Sequence, residues 1–255
     1  MPPPILDMNY LSSILERSFY TLPLMIFLNA LFLVLASLQK IKEKRIRIFI
    51  LYPAVSLAQN LLYIFLMLAN GTIIKDHDTI SLLDDYSIIG FTQIEFLTLY
   101  MYFYFQFQSA LIKRKILMIG KVFLTTGILL SIYICFFTSP ATIGKFGSYL
   151  SVTSSFLLLI PSFYYFYTLF IEPPVKNLLK EPSFWITTGI AFLHGLNIPL
   201  FFTENYFIKE FTTVWYSLYS INYIANCILF ILFIISVLCN RNRADLKRVS
   251  ITGVF

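Results

Sequence analysis

A carboxylate lies inside an apolar run of this chain. Glu95 occurs in the segment GFTQIEFLTLYMYFYFQF, residues 90 to 107, which is almost long enough to cross a membrane by itself. An ionised carboxyl in a medium of low dielectric constant must be paired or protonated, and ionisable residues in membrane spans commonly serve binding or transport. Glu95 is therefore the first candidate for chemistry.

Further polar side chains recur at helical spacing in other apolar runs. Counting residues inward from the ends of these runs places most of them between the midplane of the membrane and its outer surface. We predict that they converge on a ligand pocket, with Glu95 paired with His194. The predicted ligand-binding residues are Glu95, Asn60, His194, Asn197, Asn222, Gln93 and Tyr102. The alternative is that these groups only join helices, each hydrogen bond contributing about 0.6 to 2 kcal/mol.

Composition identifies the elements that must hold these side chains. Of the 255 residues 58% are hydrophobic and 13% are charged, whereas roughly a quarter of residues are charged in soluble domains. The apolar runs are too long for the strands of a membrane barrel. The sequence predicts an all-α integral membrane protein, a bundle of seven transmembrane helices forming a single domain. The predicted spans are 20–38, 48–69, 88–110, 116–138, 148–170, 183–202 and 213–239, followed by a short basic tail, 240–255.

The positions of lysine and arginine predict how the bundle is oriented. Fourteen of them fall in the loops after spans one, three and five and in the tail, against four on the other side. The positive-inside rule then places the N-terminus outside and the C-terminus in the cytoplasm. Two basic loops are the predicted partner-binding surface. They contain Lys40, Lys42, Lys44, Arg45, Arg47, Lys113, Arg114 and Lys115.

Several kinds of chemistry lack the residues that they need. Two histidines and three cysteines without paired spacing indicate no metal site, and no HExxH motif occurs. No serine stands in a nucleophile-elbow pattern. The last span has no lysine for a retinal Schiff base. We therefore expect no enzyme activity, no cofactor and no nucleic-acid partner, since the basic charge is explained by topology and by contact with the lipid bilayer.

Two segments carry a resemblance to a known group. QIEFLTLYMYFYF (Gln93 to Phe105) and LLKEPSFWITTGIAFL (Leu178 to Leu193) are similar to segments of uncharacterised seven-span proteins of Bacteroidota. Members of that group resemble membrane sensor modules that occur alone or beside histidine kinases. The resemblance implies a bacterial inner-membrane location and an association with signalling. The matched polar positions are Gln93 and Glu95.

We therefore hypothesise a non-enzymatic sensory or signalling module. A ligand in the outer-half pocket would shift the helices, and a cytoplasmic or membrane partner, such as a histidine kinase or a second copy of the chain, would read the change. One alternative is a transporter or channel that uses Glu95 as a proton or cation site. Another is a structural subunit of a larger membrane complex.

Overall fold

The computed structural model describes residues 8–38, 44–69, 77–171 and 178–252, and the regular structure in those ranges is helical. A short 3-10 turn, Leu178–Lys180, precedes α7. The helices are α1 (Met8–Leu38), α2 (Lys44–Phe49), α3 (Leu51–Ala69), α4 (His77–Gln106), α5 (Ala110–Phe137), α6 (Pro140–Ile171), α7 (Pro182–Glu210) and α8 (Thr212–Thr252). The all-helical prediction is confirmed for these residues.

Five of the helices are long and apolar enough to cross a membrane, so this is a multi-pass membrane protein. The apolar stretches are Arg47–Leu66, Ala110–Ile134, Thr142–Ile171, Pro182–Glu204 and Ser220–Cys239. A shorter apolar stretch, Leu22–Leu38, lies in α1. Helix α4 is long enough, but Gln93, Glu95 and several tyrosines lower its hydropathy.

The helices do not begin and end where the predicted spans do. Residues 111–115 were expected to link two spans, but α4 ends at Gln106 and α5 already begins at Ala110. Lys113, Arg114 and Lys115 therefore lie in the first turns of α5, because lysine and arginine are good helix formers. Helix α8 likewise continues through the expected tail to Thr252. The second predicted span is divided at Ile50 into α2 and α3.

Helix α4 has a central position in the bundle. It packs against α2 and α3 on one side and against α5 and α6 on another, while α8 packs between α1 and α7. The two ends of the bundle differ in charge. We call one the basic end, where Arg47, Lys113, Arg114, Lys115 and Lys180 lie, and the other the acidic end, where Asp85 and Glu204 lie.

An aromatic cluster fills the core towards the basic end. Its members are Phe32, Phe49, Tyr52, Tyr102, Phe230 and Phe233, from α1, α2, α3, α4 and α8, and all are at most 1% exposed. The ring centroids of Phe49 and Phe233 are 4.1 Å apart in an edge-to-face arrangement, and those of Phe49 and Tyr102 are 5.7 Å apart. Such aromatic pairs contribute about 0.5–1.5 kcal/mol beyond their buried area. The cluster therefore joins five helices and leaves no polar group but the two tyrosine hydroxyls among them.

Small residues let α6 and α7 approach their neighbours closely. Ser151 of α6 is buried and shares a hydrogen bond of 3.4 Å with Thr92 of α4. Gly189 of α7 faces α8, where a Cβ atom would lie 2.8 Å from Leu229 Cδ1 and 3.3 Å from Phe233 Cε1. Small side chains are the usual means of close helix packing in membranes, because lipid supplies no hydrophobic force between helices.

The contact at Gly189 gives the first prediction. Gly189→Leu is expected to destabilise the bundle by about 1–3 kcal/mol through overpacking against α8. Gly195→Ala is the matched control on the same helix, because nothing lies within 4 Å of its added Cβ. Thermal unfolding in lipid nanodiscs measures both. An unchanged unfolding temperature for Gly189→Leu would contradict the close α7–α8 contact.

Candidate functional site

Glu95 projects from α4 towards α3. The Tyr52 hydroxyl faces the Glu95 carboxyl and interacts with it, although the hydroxyl oxygen has no hydrogen bond of normal length and angle. Glu95 is surrounded by protein but keeps accessible surface, whereas Tyr52 is 1% exposed. Within the described part of the chain no basic side chain is paired with this carboxyl. The carboxyl is therefore buried between helices with the Tyr52 hydroxyl, and not a cation, as its polar neighbour.

Neighbouring polar groups on α1 and α3 are also incompletely bonded. Tyr52, Ser56 and Asn60 follow one another at four-residue spacing and share the buried face of α3. Asn29 of α1 donates to Ser56 Oγ at 3.4 Å, but Asn29 Oδ1 and Asn60 Nδ2 are buried without a partner. We call Asn29, Tyr52, Ser56, Asn60 and Glu95 the Glu95 cluster. Unpaired buried polar atoms are rare, and water or a ligand commonly satisfies them.

His194 lies in a different contact from the one predicted. Its Nδ1 atom is 3.0 Å from Ser155 Oγ of α6, and Nε2 is buried without a partner. The structure pairs Glu95 with Tyr52 instead, so the predicted pairing of Glu95 with His194 is wrong. The reason is that α7 presents this face to α6, to which it packs closely. Asn197, one turn further along α7, also has an unpaired buried oxygen.

The other predicted pocket residues have separate partners. Gln93 Nε2 donates to Ser131 Oγ of α5 at 2.7 Å, on the opposite side of α4 from Tyr52. Asn222 Oδ1 accepts from Asn226 Nδ2 of its own helix at 2.8 Å. The Tyr102 hydroxyl donates to the Ser183 carbonyl at 3.5 Å. Gln93 and Tyr102 therefore join helices. Of the predicted set, Glu95 faces Tyr52, and Asn60 lies two turns along α3 from that tyrosine on the same buried face.

Three of the polar side chains, on α1, α4 and α7, nevertheless lie at a similar distance from the basic end of the bundle. At about 1.5 Å per residue, Asn29, Glu95 and His194 lie roughly 14 to 18 Å from the basic ends of their helices. The aromatic cluster lies between this level and the basic end. Access to the Glu95 cluster is therefore closed by buried rings on that side.

A second group of carboxyls lies at the acidic end. The Glu204 carboxyl accepts a short hydrogen bond from Ser148 Oγ and is close enough to Asp85 for mutual repulsion. Burial raises the pKa of the Asp85 carboxyl above its ordinary value. A Cβ atom at Gly144 would lie 3.5 Å from both Asp85 oxygens, so glycine makes room for the carboxyl. This group joins the ends of α4, α6 and α7.

The predicted partner-binding residues are only partly described. Lys40 and Lys42 lie outside the described residues, and Lys44 and Arg45 begin α2. Arg47, Arg114 and Lys115 are exposed. The Lys113 ammonium lies 5.8 Å from the centroid of the Tyr104 ring, where a cation–π contact stabilises it. These side chains form a basic surface around the ends of α2, α4 and α5.

The predicted set lacks three members of the Glu95 cluster, Asn29, Tyr52 and Ser56, and the partner of His194. Tyr52 begins the stripe of α3 that continues through Ser56 and Asn60, so its spacing was a usable signal. Asn29 is the only amide side chain between Leu22 and Leu38 of α1, so its position in an apolar stretch was also a usable signal. Ser155 gave no signal, because serines recur along α6. Within the described ranges no three histidine, cysteine, aspartate or glutamate side chains form a group that would hold a metal ion.

No family model, curated protein or solved structure matches the chain.

The unpaired hydroxyl of Thr187 gives a test of these assignments. Thr187 and Thr92 are both buried, but Thr187 Oγ1 has no partner whereas Thr92 is bonded to Ser151. We expect Thr187→Val to be neutral or stabilising, because it removes an unpaired polar atom at constant volume. Thr92→Val is expected to lose about 0.6 to 2 kcal/mol with its interhelical bond. Thermal unfolding of both variants in lipid nanodiscs measures these changes in stability. Equal losses of stability would contradict the assignment of an unpaired hydroxyl to Thr187.

Proposed function

We propose that this protein is a non-enzymatic membrane sensory module whose ligand site is the Glu95 cluster. The observation that supports it is a buried carboxyl between α3 and α4 that faces Tyr52 and no basic side chain among the described residues, with unpaired buried amides on α1 and α3. A group that only joined helices would be fully bonded, and an amide would serve at lower cost. The ligand would complete these hydrogen bonds.

In this proposal the protein crosses the membrane seven times, and α2 and α3 together form the second span. Helices α1 and α4 then cross the membrane together with the five more apolar helices, and α4 does so although it carries Glu95 because its neighbours cover its polar faces. The N-terminus is outside and the basic end is cytoplasmic, in a bacterial inner membrane. The positive charges of the basic end support this orientation.

A signal would leave through the basic end. The cytoplasmic reader is a partner with an acidic surface, such as a histidine kinase, or a second copy of the chain. Arg47, Arg114 and Lys115 are exposed there and are free to meet acidic groups. Anionic lipid would satisfy the same charges.

Transport through Glu95 is the second candidate. Thr187 has an unpaired hydroxyl and Gln106 accepts a hydrogen bond of 2.9 Å from Ser183, so polar groups continue past the aromatic cluster towards the basic end. The packed rings of Phe49, Tyr52 and Phe233 argue against an open route. A sensor requires no route, which is why we favour it.

Orientation is tested by labelling single cysteines. Lys145 and Lys115 are exposed at opposite ends of the bundle. In a background without the three native cysteines, Lys145→Cys should react with a membrane-impermeant maleimide on intact spheroplasts. Lys115→Cys should react only after permeabilisation. The reverse pattern would overturn the proposed orientation.

The ligand site is tested by the pH dependence of unfolding. Burying an ionised carboxylate is costly, so wild type should lose stability as the pH rises and Glu95 ionises in the folded protein. Glu95→Gln should remove this loss and be as stable as wild type or more so at high pH. Asp85 and Glu204 titrate in both proteins, so the difference between the two curves isolates Glu95. Thermal unfolding in lipid nanodiscs from pH 4 to 9 gives both curves.

Gln93→Leu is the control for a group that joins helices. It removes the bond to Ser131 and should lower the unfolding temperature equally at every pH. If Glu95→Gln behaves in the same way as Gln93→Leu, Glu95 is a structural hydrogen-bonding group and the proposed site is wrong.

A further inference from the structure

One residue belongs to both the Glu95 cluster and the aromatic cluster. The Tyr52 hydroxyl faces Glu95, and its ring lies 5.9 Å from Phe230 and 6.0 Å from Phe233 of α8. The same ring lies 6.3 Å from Phe91, one turn from Glu95 on α4. Because Tyr52 is 1% exposed, its ring cannot move without displacing these neighbours.

The backbone at Tyr52 is a joint between two helices. Helix α2 ends at Phe49 and α3 begins at Leu51. Pro53 has no N–H, so the Phe49 carbonyl lacks its usual helical donor. The next bond, from Ala54 N–H to the Ile50 carbonyl, is long at 3.5 Å. Proline and a gap in the helical hydrogen bonds are the usual causes of a helix kink, so Tyr52 is attached to a weakened point of the helix.

Helix α8 connects the aromatic cluster with the basic end. It runs unbroken from Thr212 to Thr252. Two turns beyond Phe233, the Cys239 thiol donates to the Leu179 carbonyl at 3.4 Å, and the Trp185 indole donates to the same carbonyl at 2.9 Å. A displacement of α8 at Phe230 and Phe233 would therefore change the surroundings of Cys239 and Trp185.

We propose that Tyr52 transmits the state of the Glu95 carboxyl to α8. When a ligand or a proton changes the hydrogen bonding of Glu95, the interaction between the carboxyl and the Tyr52 hydroxyl strengthens or weakens. The ring then repacks against Phe230 and Phe233, and the basic end of α8 shifts relative to Leu179. Tyr52 is a positioning residue. In this proposal the joint at Tyr52 has two packing arrangements, and the state of Glu95 changes their relative populations. This inference rests on the proposed function and names the route of its signal.

The test uses neutralisation of Glu95 as the probe, because Glu95→Gln imitates the uncharged carboxyl. Full-length protein in lipid nanodiscs carries Cys135→Ala, Cys227→Ala and Trp215→Phe, which leaves Cys239 and Trp185 as single reporters. The rate of Cys239 alkylation by N-ethylmaleimide at constant pH and the emission of Trp185 are measured. We expect Glu95→Gln to change the alkylation rate by about fivefold or more, the lower range of coupling between distant sites, and to shift the emission.

Tyr52→Phe keeps the ring and removes the hydroxyl. It should abolish the response, so that the double variant with Glu95→Gln reacts at the same rate as Tyr52→Phe alone. Tyr102→Phe is the matched control, because this tyrosine belongs to the same aromatic cluster but its hydroxyl bonds to the Ser183 carbonyl. The response to Glu95→Gln should survive in that background. Phe230→Leu, which keeps the hydroxyl at Glu95, should uncouple the reporters as Tyr52→Phe does.

Two results would overturn the inference. An equal response to Glu95→Gln with and without the Tyr52 hydroxyl shows that the signal takes another route. If Glu95→Gln changes neither the alkylation rate of Cys239 nor the emission of Trp185, the position of α8 does not depend on Glu95. Either result leaves the Glu95 site itself to be judged by the pH dependence of unfolding, so failure of the route and failure of the site are distinguishable.

Discussion

The cost of placing a carboxyl between apolar helices governs the arrangement of this bundle. Glu95 must lie where other helices shield it from lipid, and this requires α4 to be surrounded by α2, α3, α5 and α6. A lipid-facing position would leave the carboxyl without any partner. The helices that cover α4 therefore bring tyrosine, serine and asparagine to the same level, and the polar groups of the bundle are concentrated there.

The interior is divided into a polar level and an aromatic one. Towards the basic end, rings from five helices pack edge to face and on one another, and none of the six is more than 1% exposed. Towards the acidic end, buried amide atoms of Asn29, Asn60 and Asn197 have no partner. The packed rings close the basic side of the Glu95 cluster, which suits binding better than passage. Tyr52 lies at the boundary, with its ring in one level and its hydroxyl in the other.

The Glu95 cluster and the contact between His194 and Ser155 connect different sets of helices. The Glu95 cluster joins α1, α3 and α4, whereas the contact between His194 and Ser155 joins α6 and α7. The pair formed by Glu204 and Ser148 continues the second connection to the acidic end. Helices α4 and α8 both border the two halves, α4 through its contacts with α3 and α6 and α8 through its contacts with α1 and α7.

Composition and the lengths of the apolar runs were sufficient to predict an all-helical membrane protein with Glu95 inside an apolar helix, because these features depend on local chemistry and on the thickness of the bilayer. The partners of each polar group were not predictable in this way. Which face of α7 meets α6 depends on side-chain packing between helices far apart in sequence, and this pairs His194 with Ser155 and leaves Tyr52 to Glu95. Periodicity shows that polar residues share a face of one helix, but only the tertiary structure decides which other helix that face meets.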